Sequence, residues 1–401
     1  MSRDRVLSPL LQQTLTEWLG LEGLPKRDPA RFEALCRSVA ELSRLFTKER
    51  AALGRSYLDE ERLRAAYLTY FLPVNLAKVQ ALLDELPPDT LCRSAAQPLK
   101  VLDIGSGPGT GALAVLDWMR QQSTQRDVAI VAVDQALPAL QEAERLWKVY
   151  GKLSPGPPSM LTRIHANLQR SGSLDLCKQE GPFELIVTAN ALSELWREAR
   201  DTIGSRVTFV RSLLDLLVPH GTLMLMEPAL RETSRELHLV RDRLLEAGVC
   251  TVYSPCLHDS PCPALIKAAD WCHEERPWTP PPIVSAIDRE VGFIKDALKF
   301  SYVILRKDGR MIVPRRPDLF RLVSELRKMK GEQRAWLCNE TGRPEVGRLD
   351  RLRSESNAPV DDWHRGAIVR ISEIVRKERK GRESSVGRIP ADASVEIVRP
   401  V

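Results

Sequence analysis

Two groups of residues in this 401-residue chain have the types and spacing to do chemistry. The first is Asp103-Ile104-Gly105-Ser106-Gly107-Pro108-Gly109, which follows a short apolar run and opens a helical one. Glycine permits positive φ and lets backbone approach a bound nucleoside closely. Asp134 closes the next apolar run, 31 residues after Asp103, where a carboxylate can accept hydrogen bonds from both ribose hydroxyls. An aspartate ahead of the glycines is the pattern of S-adenosyl-L-methionine sites rather than of nicotinamide sites. The expected cofactor contacts are Asp103, Gly105, Gly107, Gly109, Asp134 and Asn190. Ser193 and Glu194 stand next to Asn190, nearest the expected reacting methyl group, although Asn190 and Ser193 are also residue types that cap a helix. No catalytic residue follows from these types alone, and positioning by itself can carry much of a methyl transfer.

The second group is Cys256, Cys262 and Cys272, spaced Cys-x5-Cys-x9-Cys, with His258 and His273 close by and Cys338 as a distant fourth candidate. Thiolates at this density select zinc or an iron–sulfur cluster. The paired Cys-x2-Cys knuckles of common zinc sites are missing, so spacing leaves the choice open. Cys36, Cys92, Cys177 and Cys250 are scattered, which fits a reducing compartment better than a disulfide framework.

The elements that must position these groups follow from periodicity. Residues 1–95 form an expected helical region, with Leu7, Leu10, Leu11, Leu15 and Trp18 at helical spacing. Further helices are expected over about 29–54 and 59–86, the latter kinked or split at Pro73. From Leu99 strands and helices alternate: strands at 99–104, 127–133, 161–166, 183–188 and 222–227, helices at 109–122, 136–150, 203–218 and 229–249. This is an α/β, Rossmann-like arrangement, assigned to residues 96–250. Residues 254–282 are too irregular for a strand. Later strands are expected at 300–305, 335–338, 367–371 and 394–398, making residues 251–401 a cysteine-rich, basic, β-containing extension bound to metal.

Charge sharpens the division. Residues 301–401 carry 23 Lys plus Arg against 15 Asp plus Glu, while the rest of the chain is nearly neutral. A basic extension on a neutral body suggests a polyanion such as RNA. The phosphate contacts expected from it are Arg306, Lys307, Arg310, Arg315, Arg316, Arg376, Lys377, Arg379 and Lys380. No sustained apolar segment follows the N-terminus and no run is long enough to span a bilayer. The expectation is therefore no membrane and a cytoplasmic protein, or a mitochondrial-matrix one if the source is eukaryotic.

With these residues in place, the chain resembles the methyltransferase-like small-ribosomal-subunit assembly family of bacteria and mitochondria. The resemblance rests on Ala66-Tyr67-Leu68-Thr69-Tyr70-Phe71-Leu72-Pro73, the glycine loop, Thr188 to Leu195, Leu225-Met226-Glu227-Pro228, the cysteine segment and Phe300 to Arg306. It implies a 4Fe-4S cluster on Cys256, Cys262, Cys272 and Cys338, and association with the ribosomal small subunit and its rRNA. The chain departs from the family pattern at Glu274-Glu275-Arg276-Pro277, where an aromatic and a Ser-Gln-Arg-like stretch are usual. Two readings stand beside an rRNA methyltransferase: a non-catalytic RNA-binding assembly factor, and a small-molecule methyltransferase with a zinc site.

Overall fold

A computed structural model describes residues 4–52, 57–91, 97–294, 296–376, 378–379 and 382–400. Seven strands of the larger sheet lie in the order β3-β2-β1-β4-β5-β8-β6. They are β1 (Leu99–Ile104), β2 (Val128–Asp134), β3 (Ser159–His165), β4 (Phe183–Ala189), β5 (Leu217–Pro228), β6 (Thr251–Ser254) and β8 (Ala297–Arg306). An eighth, β7 (Glu274–Pro277), pairs with the first half of β8, and β6 with its second half. Strands β1 to β5 pair in parallel, and β8 runs antiparallel to β5. The order reverses between β1 and β4, the place where open α/β sheets bind ligands. The α/β, Rossmann-like class-I methyltransferase fold expected from the glycine loop is the fold observed.

The N-terminal region comprises α1 (Pro9–Trp18), α2 (Leu24–Arg27), α3 (Pro29–Thr47), α4 (Glu61–Ala66), α5 (Leu72–Leu83) and α6 (Pro88–Leu91). Their apolar stripes join one face of the sheet, with α7 (Thr110–Gln121) and α8 (Leu137–Leu153), in a single core. The short α9 (Asp175–Glu180), α10 (Thr202–Asp215) and α11 (Arg231–Glu246) lie on the other face, and α12 (Pro282–Val291) returns to the N-terminal side. Pro73 does not split its helix. A π-helical turn over Tyr67–Phe71 links α4 to α5, and the Leu72 N–H reaches back to the Tyr67 carbonyl. Widening the turn just before the proline accommodates a residue that has no N–H to give and whose ring crowds the preceding carbonyl.

The expected boundary after residue 250 falls inside the larger sheet, because β6, β7 and β8 complete it. The second sheet runs β16-β12-β11-β9-β13-β17, with β10 beside β11. Its strands are β9 (Leu319–Leu322), β10 (Arg327–Met329), β11 (Glu332–Cys338), β12 (Glu345–Leu349), β13 (Ile368–Ile371), β16 (Val386–Arg388) and β17 (Val395–Arg399), with β14 (Glu378–Arg379) and β15 (Arg382–Glu383) forming a separate ribbon. Phe320, Leu337, Val346, Trp363, Val369 and Ile389 make its own core. Strand β7 lies in the segment expected to be irregular, and its residues carry no apolar alternation that would reveal it.

Buried charge joins the units. Glu85, just after α5, accepts from Arg276 of β7 at 2.6 Å, Arg321 of β9 at 2.9 Å and the Tyr302 hydroxyl of β8 at 2.8 Å. Arg321 also donates to Glu274 at 3.0 Å. Burial alone would raise the Glu85 carboxyl, but Arg321 and Arg276 outweigh it and hold the group down to about 2. The residues that depart from the family pattern are therefore structural here: Glu274 and Arg276 belong to this junction.

The basic extension is less available than its composition suggests. Arg306 is 2% exposed and binds Asp308, the Thr222 hydroxyl and the His220 carbonyl. It locks the larger sheet rather than facing phosphate. Arg315 pairs with Asp259 and Arg316 with Asp318. Lys377 and Lys380 lie outside the described residues, as does the Arg379 side chain and, among the cysteines, Cys92.

Candidate functional site

The turn after β1 is built by Asp103. Its carboxylate accepts from the Ser106 hydroxyl at 2.6 Å and the Ala112 N–H at 2.8 Å, closing the loop onto the start of α7. Gly111 is the residue that allows this, since a Cβ there would meet Asp103 Oδ1 at 2.4 Å. Burial lifts the Asp103 carboxyl to about 6 against the pull of these hydrogen bonds. Asp103 is thus committed to shaping the loop, a role the sequence reading assigned to the ligand instead. Gly105 has φ +65° and lies so near β4 that a Cβ would fall 2.3 Å from the Ala191 Cβ, so only glycine fits.

Asp134 ends β2 and accepts from the Gly107 N–H and the Ala136 N–H, both at 2.8 Å. Each carboxylate oxygen keeps a second lone pair. Burial raises this carboxyl too, with the backbone donors opposing. Asn190 follows β4 with φ +60°, fixed by its N–H on the Met226 carbonyl at 2.7 Å. Gly105, Gly107, Asp134 and Asn190 all line one cavity of about 510 Å³, within the ~300–1,000 Å³ range of small-molecule sites. Asp103 and Gly109 are not among its lining residues. Gly109 sits at the N-cap of α7, where a Cβ would press on Ala143 at 3.1 Å.

The cavity also has walls that the motif search missed. Phe46, Tyr57, Tyr67 and Phe71 from the N-terminal helices form an edge-packed aromatic cluster along one side. Arg50, after α3, donates to the Ser193 hydroxyl at 3.2 Å, and Arg197 donates to the Arg50 carbonyl. Glu194 is pushed up to about 8, first by burial and then by the negative charges of Glu227 and Asp134. The π turn carrying Tyr67 is a local sign of function that a 3.6-residue period cannot reveal.

Across from the helices stand Trp271 and His273, stacked at 5.8 Å between ring centroids. They flank Cys272, so the cysteine segment forms part of the cavity wall. That segment leaves the sheet edge after β6 and returns at β7, and α11 holds it. Arg235 donates to the carbonyls of Ala264, Leu265, Lys267 and Asp270, at 2.7 to 3.1 Å. Arg241 donates to the Ser260 carbonyl at 2.6 Å, and Asp242 accepts from the Cys262 N–H at 2.9 Å.

Cys338, at the end of β11, meets this segment at the seam between the sheets, with its sulfur 3.8 Å from His258 Nε2. Burial raises the thiols of Cys262, Cys272 (to about 11) and Cys338, and neighbouring members of the Cys256, Cys262, Cys272 and Cys338 set raise them further. Arg241 and Arg343 oppose the shift at Cys338. The four residues expected from the sequence therefore share one neighbourhood with flanking cations. Among the described residues, however, no three His, Cys, Asp or Glu side chains are drawn together as ligands of one metal ion.

Comparisons with known proteins agree on the broad outline. Two curated relatives, the mitochondrial Rsm22-cox11 tandem proteins 1 and 2 of Schizosaccharomyces pombe, are each 27% identical over 260 residues, covering 60% of this chain and 31% of theirs. The chain thus spans about a third of the length of these relatives. Among solved structures, magnesium protoporphyrin IX methyltransferase from Synechocystis with bound S-adenosylmethionine matches at TM-score 0.36 and 12% identity, over 64% of this chain and 98% of that one. An O-methyltransferase family protein from Burkholderia thailandensis matches at TM-score 0.34 and 15% identity, over 66% and 64%. Among the described residues no helix is long and apolar enough to cross a membrane. The family model for the mitochondrial small ribosomal subunit protein Rsm22 matches residues 62–346, from α4 through the cysteine segment to β12, and the chain belongs to that family.

Proposed function

We propose that this protein binds S-adenosylmethionine in the cavity beneath its N-terminal helices and acts in assembly of the ribosomal small subunit as a methyltransferase-like, rRNA-binding factor. The observation that carries the reading is the meeting of Gly105, Gly107, Asp134 and Asn190 in one cavity at the strand-order reversal. Gly105 and Gly107 would bring backbone to the ligand, and Asp134 would take the ribose hydroxyls on its free lone pairs. The ligand, when bound, supplies an electrophilic methyl group. The family and the mitochondrial relatives support a ribosomal role and favour the mitochondrial matrix over the cytoplasm.

A 4Fe-4S cluster on Cys256, Cys262, Cys272 and Cys338 belongs to the same proposal. The thiols are near enough to raise one another, yet not gathered as for a single ion, and Arg241 and Arg343 lie beside them. A cluster core larger than one ion suits that spread better than tetrahedral zinc. Its part would be structural, tying the segment after β6 to the end of β11. Metal and sulfide analysis of anaerobically purified protein tests this directly: iron with equimolar sulfide is expected, and stoichiometric zinc without sulfide would overturn it. For the RNA partner, affinity for small-subunit rRNA should fall steeply between 50 and 200 mM salt, as counterion release requires. Affinity that ignores salt would remove RNA from the proposal.

A further inference from the structure

Asp134 and Asn190 stand on opposite sides of β1, because β2 lies on one flank of that strand and β4 on the other. A nucleoside on Asp134 occupies the β2 side. The cavity continues the other way, past β4, over Pro228 and Leu230 beyond β5, to Lys299 on β8 and to Trp271 and His273. This second half carries three buried polar atoms without a hydrogen-bond partner: Asn190 Oδ1, Trp271 Nε1 and His273 Nδ1. Buried polar atoms are nearly always paired, so unpaired ones on a cavity wall mark where a ligand supplies the partner.

Their chemistry is specific. Asn190 Oδ1 is an acceptor and needs an N–H or O–H. Trp271 Nε1 is a donor only. His273 uses Nε2 on Glu275 at 3.0 Å, so with Nε2 protonated its Nδ1 is an acceptor. Asn190 also holds φ +60°, a conformation that costs energy in a residue with a side chain and concentrates at functional sites. Two acceptors and a donor, on walls that include stacked aromatic rings, match the edge of a flat heterocycle bearing an amine beside an unprotonated ring nitrogen.

We infer that the β4–β8 half of the cavity is an acceptor subsite for an amine-bearing heteroaromatic ring, with Asn190 taking the amine and the Trp271–His273 pair taking the ring edge. This rests on the cofactor reading above, since the other half must hold the nucleoside of S-adenosylmethionine. It moves Asn190 from cofactor contact to acceptor contact, and it makes the cysteine segment part of the recognition surface.

Calorimetry on the full chain tests it in two steps. S-adenosylhomocysteine is titrated first; no binding would sink the cofactor reading and this inference with it. The loaded protein is then titrated with adenosine against purine riboside, and with cytidine against pyrimidin-2-one riboside, each pair differing only in the amine. At least tenfold preference for the amine-bearing member of one pair is expected. Asn190→Gly, which tolerates the backbone angle but has no carbonyl side chain, should abolish the preference, and Asn190→Asp should retain it. The same comparison within a short single-stranded RNA identifies the source, since preference only in the RNA means a nucleic-acid acceptor and preference in the free nucleoside a small one. If S-adenosylhomocysteine binds but no compound shows an amine preference, or Asn190→Gly keeps one, the inference fails alone.

Discussion

The two ends of the cavity are made by different means. At the glycine-loop end, residues within one β-turn-α unit do the work: Asp103 closes the loop on Ser106 and Ala112, and Asp134 catches the Gly107 N–H from the next strand. At the cysteine end, the wall exists only because distant segments meet. Trp271 and His273 are held by the strand pairing of β7 on β8 and by α11, and the junction behind them gathers Glu85, Arg276, Tyr302 and Arg321 from four elements. The first end is local backbone chemistry, and the second is long-range buried charge. They should fail differently.

The largest expected effect is at the junction. Glu85→Ala leaves Arg276 and Arg321 buried with Glu274 as their remaining carboxylate, and breaking a buried ion pair this way costs about 3–5 kcal/mol. Urea unfolding should show that loss. An unchanged midpoint would mean that water or Glu274 replaces Glu85 completely. Tyr302→Phe removes one hydroxyl from the same network and should cost less, about 1–3 kcal/mol by the same measurement.

The two ends should also answer pH with opposite sign. Glu85 is held down to about 2, below the ~4.3 of an unfolded glutamate. Its contribution is complete above the unfolded value and is lost as pH falls from about 4 to 2. Asp103 is raised to about 6, above the ~3.9 of an unfolded aspartate, so the folded protein holds the extra proton between those values. Stability from this group therefore falls as pH rises from about 4 to 6. Asp103→Asn should flatten the limb between pH 4 and 6, and Glu85→Gln the limb below 4. A profile whose limbs stay unchanged in the matching variants would separate neither end from the rest of the molecule.

The difference between local and long-range construction explains what could be read from the sequence. The β1–loop–α7 unit, Asp134 and the alternation through β5 carry their own periodicity, and Phe300 to Arg306 has an apolar run that shows β8. Strand β7 does not, because Glu274, Glu275 and Arg276 become strand residues only when Glu85 and Arg321 neutralise them. Arg306 carries the same lesson in reverse: in the sequence it is one of many basic residues, and in the fold it is a buried clamp between Asp308 and Thr222. Asp103 was recognised as part of the site, but its hydrogen bonds to the loop depend on how closely Gly111 lets it approach, which spacing does not express. The roles of Tyr67 and Arg50 as cavity walls were hidden because helical periodicity reports burial and not what the buried face encloses.

The most direct measurement is the affinity of the full chain for S-adenosylhomocysteine by calorimetry, with Gly105→Ala beside the wild type. One site per chain is expected, with affinity reduced at least tenfold (~1.4 kcal/mol) in the variant, because the new Cβ collides with Ala191 where the loop must stay open. No binding to the wild type at millimolar ligand, or equal binding by Gly105→Ala, would contradict a cofactor held by this loop.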